Sequence, residues 1–400
     1  MERIPSSMRN RDEAERRFGP FADEYVRAMW IGDPLADAFV ADFDTIGHAA
    51  GMKMLRRACR DGVAAVPDAP PSLHALFAQL DAVPDWADLP GTDAATVHAA
   101  RYVRQSGLAL GAASLVSGYA NAAASRPLEM TGRYLDNAGA RTIEVGSWLS
   151  EVAKPGGVDR FSRGFELTVR VRIIHALVRR ALSGRPDWDL DAWGVPICQA
   201  YLAYTLVEFC MIPIRAMRAI GAPQLPYEER AAYARWRYLG HLLGIHEQML
   251  PRDRAEQERL EAIYLLTRPP VDEYCRTLVG SINRDFLVPE IEGLLPARAR
   301  GAAPSVVHGL ERIFVGDGIA DELGIPRTRM TAVIRAVGPV LGAVNGVLDR
   351  LPWTLGPRTR AGERYGEQQD ARLRAKYDVR HDLVDASPAG GRAHPARPGA

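Results

Sequence analysis

Three residues carry the most chemistry in this 400-residue chain: Arg172, His175 and Arg179, in the run Arg172-Ile-Ile-His175-Ala-Leu-Val-Arg179. Offsets of −3 and +4 put both arginines on the histidine's face of a helix. Leu167, Val171, Ile173, Ile174, Leu177 and Val178 surround them in sequence, the pattern of a buried helix. A buried guanidinium left without an anion costs several kcal/mol, so each arginine needs a negative partner. An imidazole between two cations is held neutral, and a neutral imidazole can bind a metal through a ring nitrogen. An iron porphyrin satisfies all three residues, with its iron on His175 and its propionates near Arg172 and Arg179. A plainer reading fits the same spacing: a hydrogen-bonded core histidine beside two surface arginines. The charge count favours an anion, because Arg160, Arg163, Arg170, Arg172, Arg179, Arg180 and Arg185 share their segment with one acid, Glu166.

Arg141 and Glu144 form a second candidate pair. They lie three residues apart on an expected helix, so their side chains can meet. As a surface ion pair they contribute little. With Ile143, Val145, Trp148 and Leu149 around them, they read instead as a polar pair in an apolar pocket. There Glu144 could act as a general base, and Arg141 could steady bound oxygen or a developing negative charge.

Other chemistries lack their motifs. The sequence has no H-E-x-x-H, no G-x-x-x-x-G-K-[ST] and no G-x-S-x-G. None of the nine histidines follows a glutamate by three residues, which argues against a ferritin-like di-iron site. Cys59, Cys198, Cys210 and Cys275 are far apart and make no C-x-x-C pair, so neither a cysteine-rich zinc module nor a c-type haem attachment is expected. Free thiols suggest a reducing compartment. The acids Asp33, Asp37, Asp42 and Asp44 read as a helix start and a solvated face.

The elements that must hold these residues are helical. Periodicity near 3.6 dominates and no series of alternating strands emerges. The spacing predicts helices over about 10–32, 35–48, 51–61, 72–81, 92–123, 126–152, 158–183, 196–221, 226–249, 253–266, 271–295, 304–314, 326–350 and 359–378. Pro/Gly punctuation separates them. With 47% hydrophobic residues the chain can bury a large core, and a net charge of +1 gives no argument for nucleic acid. Residues 1–380 are expected as a single α-helical domain and 381–400 as a disordered tail. The N-terminus shows no apolar signal core, and no apolar stretch reads as a membrane span, the nearest being Thr331 to Leu348 with Arg335, Pro339 and Asn345 in it. A cytoplasmic location is the expectation, with a hydrophobic surface patch left open.

The order and spacing of several short motifs resemble a known family, the latex-clearing-protein-like haem b oxygenases, which include the mycophenolic-acid-pathway type. The landmarks, over roughly 30–250, are Gly32-Asp-Pro-Leu-Ala-Asp37, Val83-Pro-Asp-Trp86, Ser117-Gly-Tyr119, Thr131-Gly-Arg133 and Arg141-Thr-Ile-Glu144. Arg172-x-x-His175-x-x-x-Arg179, Gly194-Val-Pro196-x-x-Gln199, Trp236 and Leu243-Gly244 complete the series. The resemblance implies an all-α, multi-helix domain with a globin-like core around haem b and additional helices. It implies His175 as the iron ligand, Arg172 and Arg179 as haem-seating residues, and Arg141 on the distal side; Glu144 beside it is then placed to abstract or relay a proton. The implied activity is oxygen-dependent cleavage of a carbon–carbon double bond in a hydrophobic small-molecule substrate, with hydroxylation or peroxide-driven oxidation as the alternatives. Rubber-cleaving members carry lysine–threonine where this chain has Glu144-Val145, and they are exported. A smaller intracellular isoprenoid or unsaturated lipid is therefore the expected substrate. A haem-binding or oxygen-sensing protein without catalysis would use the same His175 but gain little from Glu144, and a plain helical interaction protein would bind no cofactor.

Overall fold

The computed structural model describes residues 3–132 and 137–379. Arg133 of the Thr131-Gly-Arg133 landmark and the expected tail at 381–400 lie outside the described residues. The architecture is all-α, and no strand occurs among the described residues. Helix starts follow local side-chain chemistry. Asp33, Asn121, Asn137, Ser162, Asp189, Asp253 and Asp272 each accept a hydrogen bond from a backbone N–H of the first helical turn.

Several expected long helices are divided. The 10–32 run breaks at Gly19, whose φ of 56° lets Arg11–Phe18 end and Pro20–Ala28 begin. The 196–221 run starts at Gln199 and bends at Cys210, giving Gln199–Phe209 and Met211–Ala219. The 92–123 run becomes short helices with a π-helical turn at Leu110–Leu115. Conversely, the helix expected from 359 begins earlier, at Pro352, where the proline's missing N–H costs nothing at a first turn. Two segments reach membrane-spanning length by apolar composition, contrary to the sequence reading: Gln199–Ala219, mostly buried in the core, and Met330–Leu348, mostly outside it.

Two large apolar clusters fill the interior, with a small third around Ala140, Ile143 and Val379. The larger gathers Tyr25, Tyr204, Leu206, Tyr264, Leu278 and Leu310 among others; the second is built on Phe39, Leu55, Leu73, Phe77, Phe165 and Ile173. Trp86 and Trp236 pack against both. The helix carrying His175, Arg163–Ser183, runs through the second cluster. It packs on Pro34–Ala41, His48–Asp61, Ala138–Val152 and Pro226–Leu242. Every residue from Gly164 to Ile173 is buried, so this stretch is held on all sides.

A buried charge network ties the early and late parts of the chain. Arg101 donates to both carboxylate oxygens of Glu228 at 2.9 Å and lies 3.0 Å from Asp349. Asp349 also accepts from Tyr102 and Arg358, each at 2.6 Å. Removing one partner of such a network strands the others in a low-polarity interior. Arg101→Met is therefore expected to cost about 3–5 kcal/mol, read as a lower urea midpoint with an unchanged slope; an unchanged midpoint would show that water reaches these carboxylates.

Candidate functional site

His175 sits where the packing around its helix opens. After the fully buried stretch ending at Ile173, the side chains of Ile174, His175, Leu177 and Val178 are each partly accessible. His175 Nδ1 is nonetheless sealed from solvent and has no hydrogen-bond partner. Burial, reinforced by the charge of Arg179, pushes the imidazole down to about 4, with Asp33 opposing weakly. At neutral pH the ring is an uncharged donor of a nitrogen lone pair.

The two arginines differ. Arg172 is fully committed inside the protein: its Nε and Nη2 donate to the two oxygens of Asp33 at 2.6 and 3.0 Å, and Nη1 donates to Gln79 Oε1 at 2.6 Å and to the Leu242 carbonyl. Both Arg172 and Asp33 are 2% exposed. The anion that Arg172 requires is Asp33. Arg179 is held loosely, with Nε 3.3 Å from Asp37 Oδ2 and Nη1 3.4 Å from the Ile197 carbonyl, and its buried Nη2 has no partner. Burial holds the Asp37 carboxyl above its ordinary range despite this arginine.

The charge count of the 160–185 segment is resolved by acids that are distant in sequence. Arg160 pairs with Asp81 at 2.5 Å, Arg172 with Asp33, Arg179 with Asp37, and Arg180 with Asp44. Glu166 serves Arg163 and Arg170, and Asp187 serves Arg185. Within the expected solvated acidic face, Asp33 and Asp37 are instead counter-charges of the arginine helix, since Pro34–Ala41 packs across Arg163–Ser183, while Asp44 is exposed as expected. The excess of arginine therefore requires no bound anion, although the unpartnered Nη2 of Arg179 leaves room for one.

Glycines let this pairing close. A Cβ on Gly244, where φ is +78°, would lie 2.5 Å from Arg172 Nε, and one on Gly32 would lie 2.5 Å from Arg179 Nε. Gln199, fully buried, fastens the surrounding loops: its amide donates to the Gly32 carbonyl at 2.7 Å and the Gly244 carbonyl at 3.0 Å, and its oxygen accepts from His246 N at 2.8 Å. Segments around residues 32, 79, 175, 199 and 244 thus meet at one place. Sequence reasoning missed the roles of Asp33, Asp37 and Gln79. The available signal was the Gly32-Asp33 pair followed by Asp37, two acids four apart opposite two arginines seven apart.

Arg141 and Glu144 are on the Ala138–Val152 helix, joined by Arg141 Nη1 donating to Glu144 Oε2 at 2.5 Å, both side chains mostly but not fully buried. This helix runs antiparallel to Arg163–Ser183. Trp148 Nε1 donates to Thr168 Oγ1 at 3.0 Å, and the Glu151 backbone carbon would be 3.2 Å from a Cβ on Gly164. Continued at 1.5 Å per residue, that register brings Arg141 and Glu144 level with the turn containing Arg172 and His175. Arg141, Glu144, Val145 and Gly146 are partly accessible, as are Ile174, His175 and Val178 at the same height. Among the described residues there is no cluster of His, Cys, Asp and Glu able to hold a bare metal ion. A metal here needs ligands of its own, as in a porphyrin; the unpartnered His175 Nδ1 and Arg179 Nη2 fit such a group.

Two outcomes follow. Arg172→Leu leaves Asp33 buried and unpaired and is expected to cost about 3–5 kcal/mol, whereas Arg179→Leu, already missing a good partner, costs less; equal losses in urea unfolding would contradict the asymmetry. For pH, an unfolded histidine takes up a proton near 6.5 while folded His175 resists to about 4. Between these values the unfolded state binds more protons, so stability falls as pH drops through the window. The cofactor-free His175→Ala protein is expected to lose less stability between pH 6.5 and 4 than cofactor-free wild type. Parallel pH profiles would mean that the imidazole is protonated in the fold.

Comparison with known proteins places this architecture. Residues 100–343 match the family described as ER-bound oxygenase mpaB/B'/Rubber oxygenase, catalytic domain. A curated relative, the rubber oxygenase of Streptomyces sp. (strain K30), is 23% identical over 352 residues, covering 82% of this chain and 81% of the relative. The solved structure of latex clearing protein LCP in the closed state superposes with a TM-score of 0.56 at 20% identity, over 84% of this chain and 91% of that one. The matched span holds His175, both flanking arginines and the Arg141–Glu144 pair, and the chain belongs to the mpaB/B'/rubber oxygenase catalytic-domain family: it is an oxygenase.

Proposed function

We propose that the chain is a haem b-dependent oxygenase that binds its iron through His175 and acts on a hydrophobic, unsaturated, isoprenoid- or lipid-like substrate by oxidative cleavage of a carbon–carbon double bond. The observation that carries this reading is the neutral, unpartnered His175 beside a buried arginine nitrogen that also lacks a partner. The printed name of the Streptomyces relative supports the substrate class. When bound, haem b supplies the redox chemistry that activates oxygen.

The chain's own residues supply position and polarity. Arg172, neutralised by Asp33, does not carry free charge toward the cofactor; it fixes the turn from which His175 projects. Arg179 Nη2 is the nitrogen available to a propionate. Glu144 Oε2 is held by Arg141, leaving Oε1 to take up and return a substrate proton. The guanidinium of Arg141 keeps that carboxylate oriented and offers positive charge to negative charge developing beside it. The apolar residues Ile174, Leu177 and Val178 on the accessible arc suit a hydrocarbon substrate better than a polar one.

His175→Ala is expected to abolish haem retention while the helical circular dichroism persists. Arg179→Leu loses a charge-assisted contact of about 1.5–3 kcal/mol and is expected to weaken haem affinity tenfold or more. Glu144→Gln is expected to keep haem but reduce oxygen consumption on an unsaturated isoprenoid or lipid by about 10²–10⁴-fold. A His175→Ala protein that purifies with full haem and an unaltered spectrum defeats the ligand assignment; wild-type turnover in Glu144→Gln moves the proton transfer to another group.

A further inference from the structure

Met330–Leu348 has two unlike faces. On one, Gly338 and Gly346 are buried; Gly338 lies directly against the Ala219 carbonyl, and Asn345 Nδ2 donates to the Gly221 carbonyl at 2.7 Å. That close contact fixes the helix on the body of the protein and commits this side of it. On the other face Val333, Val337, Val340, Leu341, Val344 and Val347 are exposed, Val340 by 63% and Val347 by 61%. With Ala332, Ala336 and Ala343 between them, the bare arc covers about half the circumference at 3.6 residues per turn. That is wider than the seam two helices need to pair. Just beyond the helix Trp353 is 72% exposed.

Within the helix and its immediate flanks every exposed charge is basic. Between Pro326 and Arg360 the exposed ionisable side chains are Arg327, Arg329, Arg335, Arg350 and Arg360. The single acid in the span, Asp349, is buried against Arg101 and Arg358. At the amino-terminal edge Asp317 and Asp321 are engaged by Arg312, Arg327 and Arg335. Both ends of the helix are thus positive. Any two-fold pairing of the face with a second copy, parallel or antiparallel, sets arginine beside arginine. An anionic lipid surface meets the same pattern without conflict: the valine arc enters the acyl boundary, the arginines reach phosphates, and an exposed tryptophan suits the interface.

We propose that the Met330–Leu348 helix is a docking surface for anionic lipid, on which the protein lies without spanning the bilayer. The surface is separate from the Arg172–His175–Arg179 cluster, and the proposal does not depend on the cofactor assignment.

The test uses the purified full chain with extruded vesicles of phosphatidylcholine alone or mixed with phosphatidylglycerol. Co-sedimentation is expected to show at least tenfold tighter binding to the anionic vesicles, weakened by salt. Val340→Glu with Val344→Glu is expected to lower it at least tenfold, and Arg329→Gln with Arg335→Gln by about fivefold per arginine. Circular dichroism checks that the variants fold. As an independent reading, bromine-labelled lipid is expected to quench a part of the tryptophan fluorescence that Trp353→Phe removes. The proposal is overturned by absence of binding to anionic vesicles, or by binding that survives both the glutamate and the glutamine variants. It is equally overturned by self-association in sedimentation velocity that the glutamate changes abolish, which would assign the face to a second copy.

Discussion

The ion pair between Arg172 and Asp33 governs the geometry of this protein. A guanidinium and a carboxylate buried together are tolerable only if every remaining hydrogen-bonding group nearby is satisfied, and here Gln79 and the Leu242 carbonyl complete the arginine. Meeting that requirement draws the Asp33 turn, the Gln79 helix, the His175 helix and the Gly244 turn together. Gln199 then fastens the two glycine turns to each other. The histidine three residues along from Arg172 inherits its place from this brace.

The same packing leaves a deliberate imbalance one helical turn further on. Arg172 is saturated, whereas Arg179 retains a buried nitrogen without a partner and His175 keeps a bare ring nitrogen. Here the saturated and the under-partnered arginine are seven residues apart on one face, and the difference between them lies in the acids opposite: Asp33 is buried and bidentate, while Asp37 is half-exposed and meets Arg179 through one oxygen.

Much of this was legible in sequence. Apolar periodicity gave the all-α class, and the spacing of Arg172, His175 and Arg179 placed them on one face of one helix, as the fold has them. The i, i+3 offset of Arg141 and Glu144 anticipated their contact. What remained hidden was long-range pairing. Nothing local to Asp33 says that its carboxylate faces an arginine 139 positions away, so it read as a helix start, which it also is. The break at Cys210 had a local signal that periodicity overrode: Pro213 offers no N–H to the Phe209 carbonyl four residues back, and the helix divides there. The open valine face of Met330–Leu348 was invisible too, since composition cannot tell a core helix from one that the fold leaves uncovered.

The span of the buried charge pairs also bears on the order in which the chain can reach its native state. Asp33 waits for Arg172, Arg101 for Glu228, and Tyr102 for Asp349, separations of 139, 127 and 247 residues. During synthesis the amino-terminal helices emerge well before the residues that neutralise them, so a compact early intermediate would have to enclose naked charge. That penalty disfavours premature collapse and delays consolidation until most of the polypeptide is available. Assembly should accordingly be late and concerted rather than piecewise, with the closing of the Arg101–Glu228–Asp349 network coming near the end of translation.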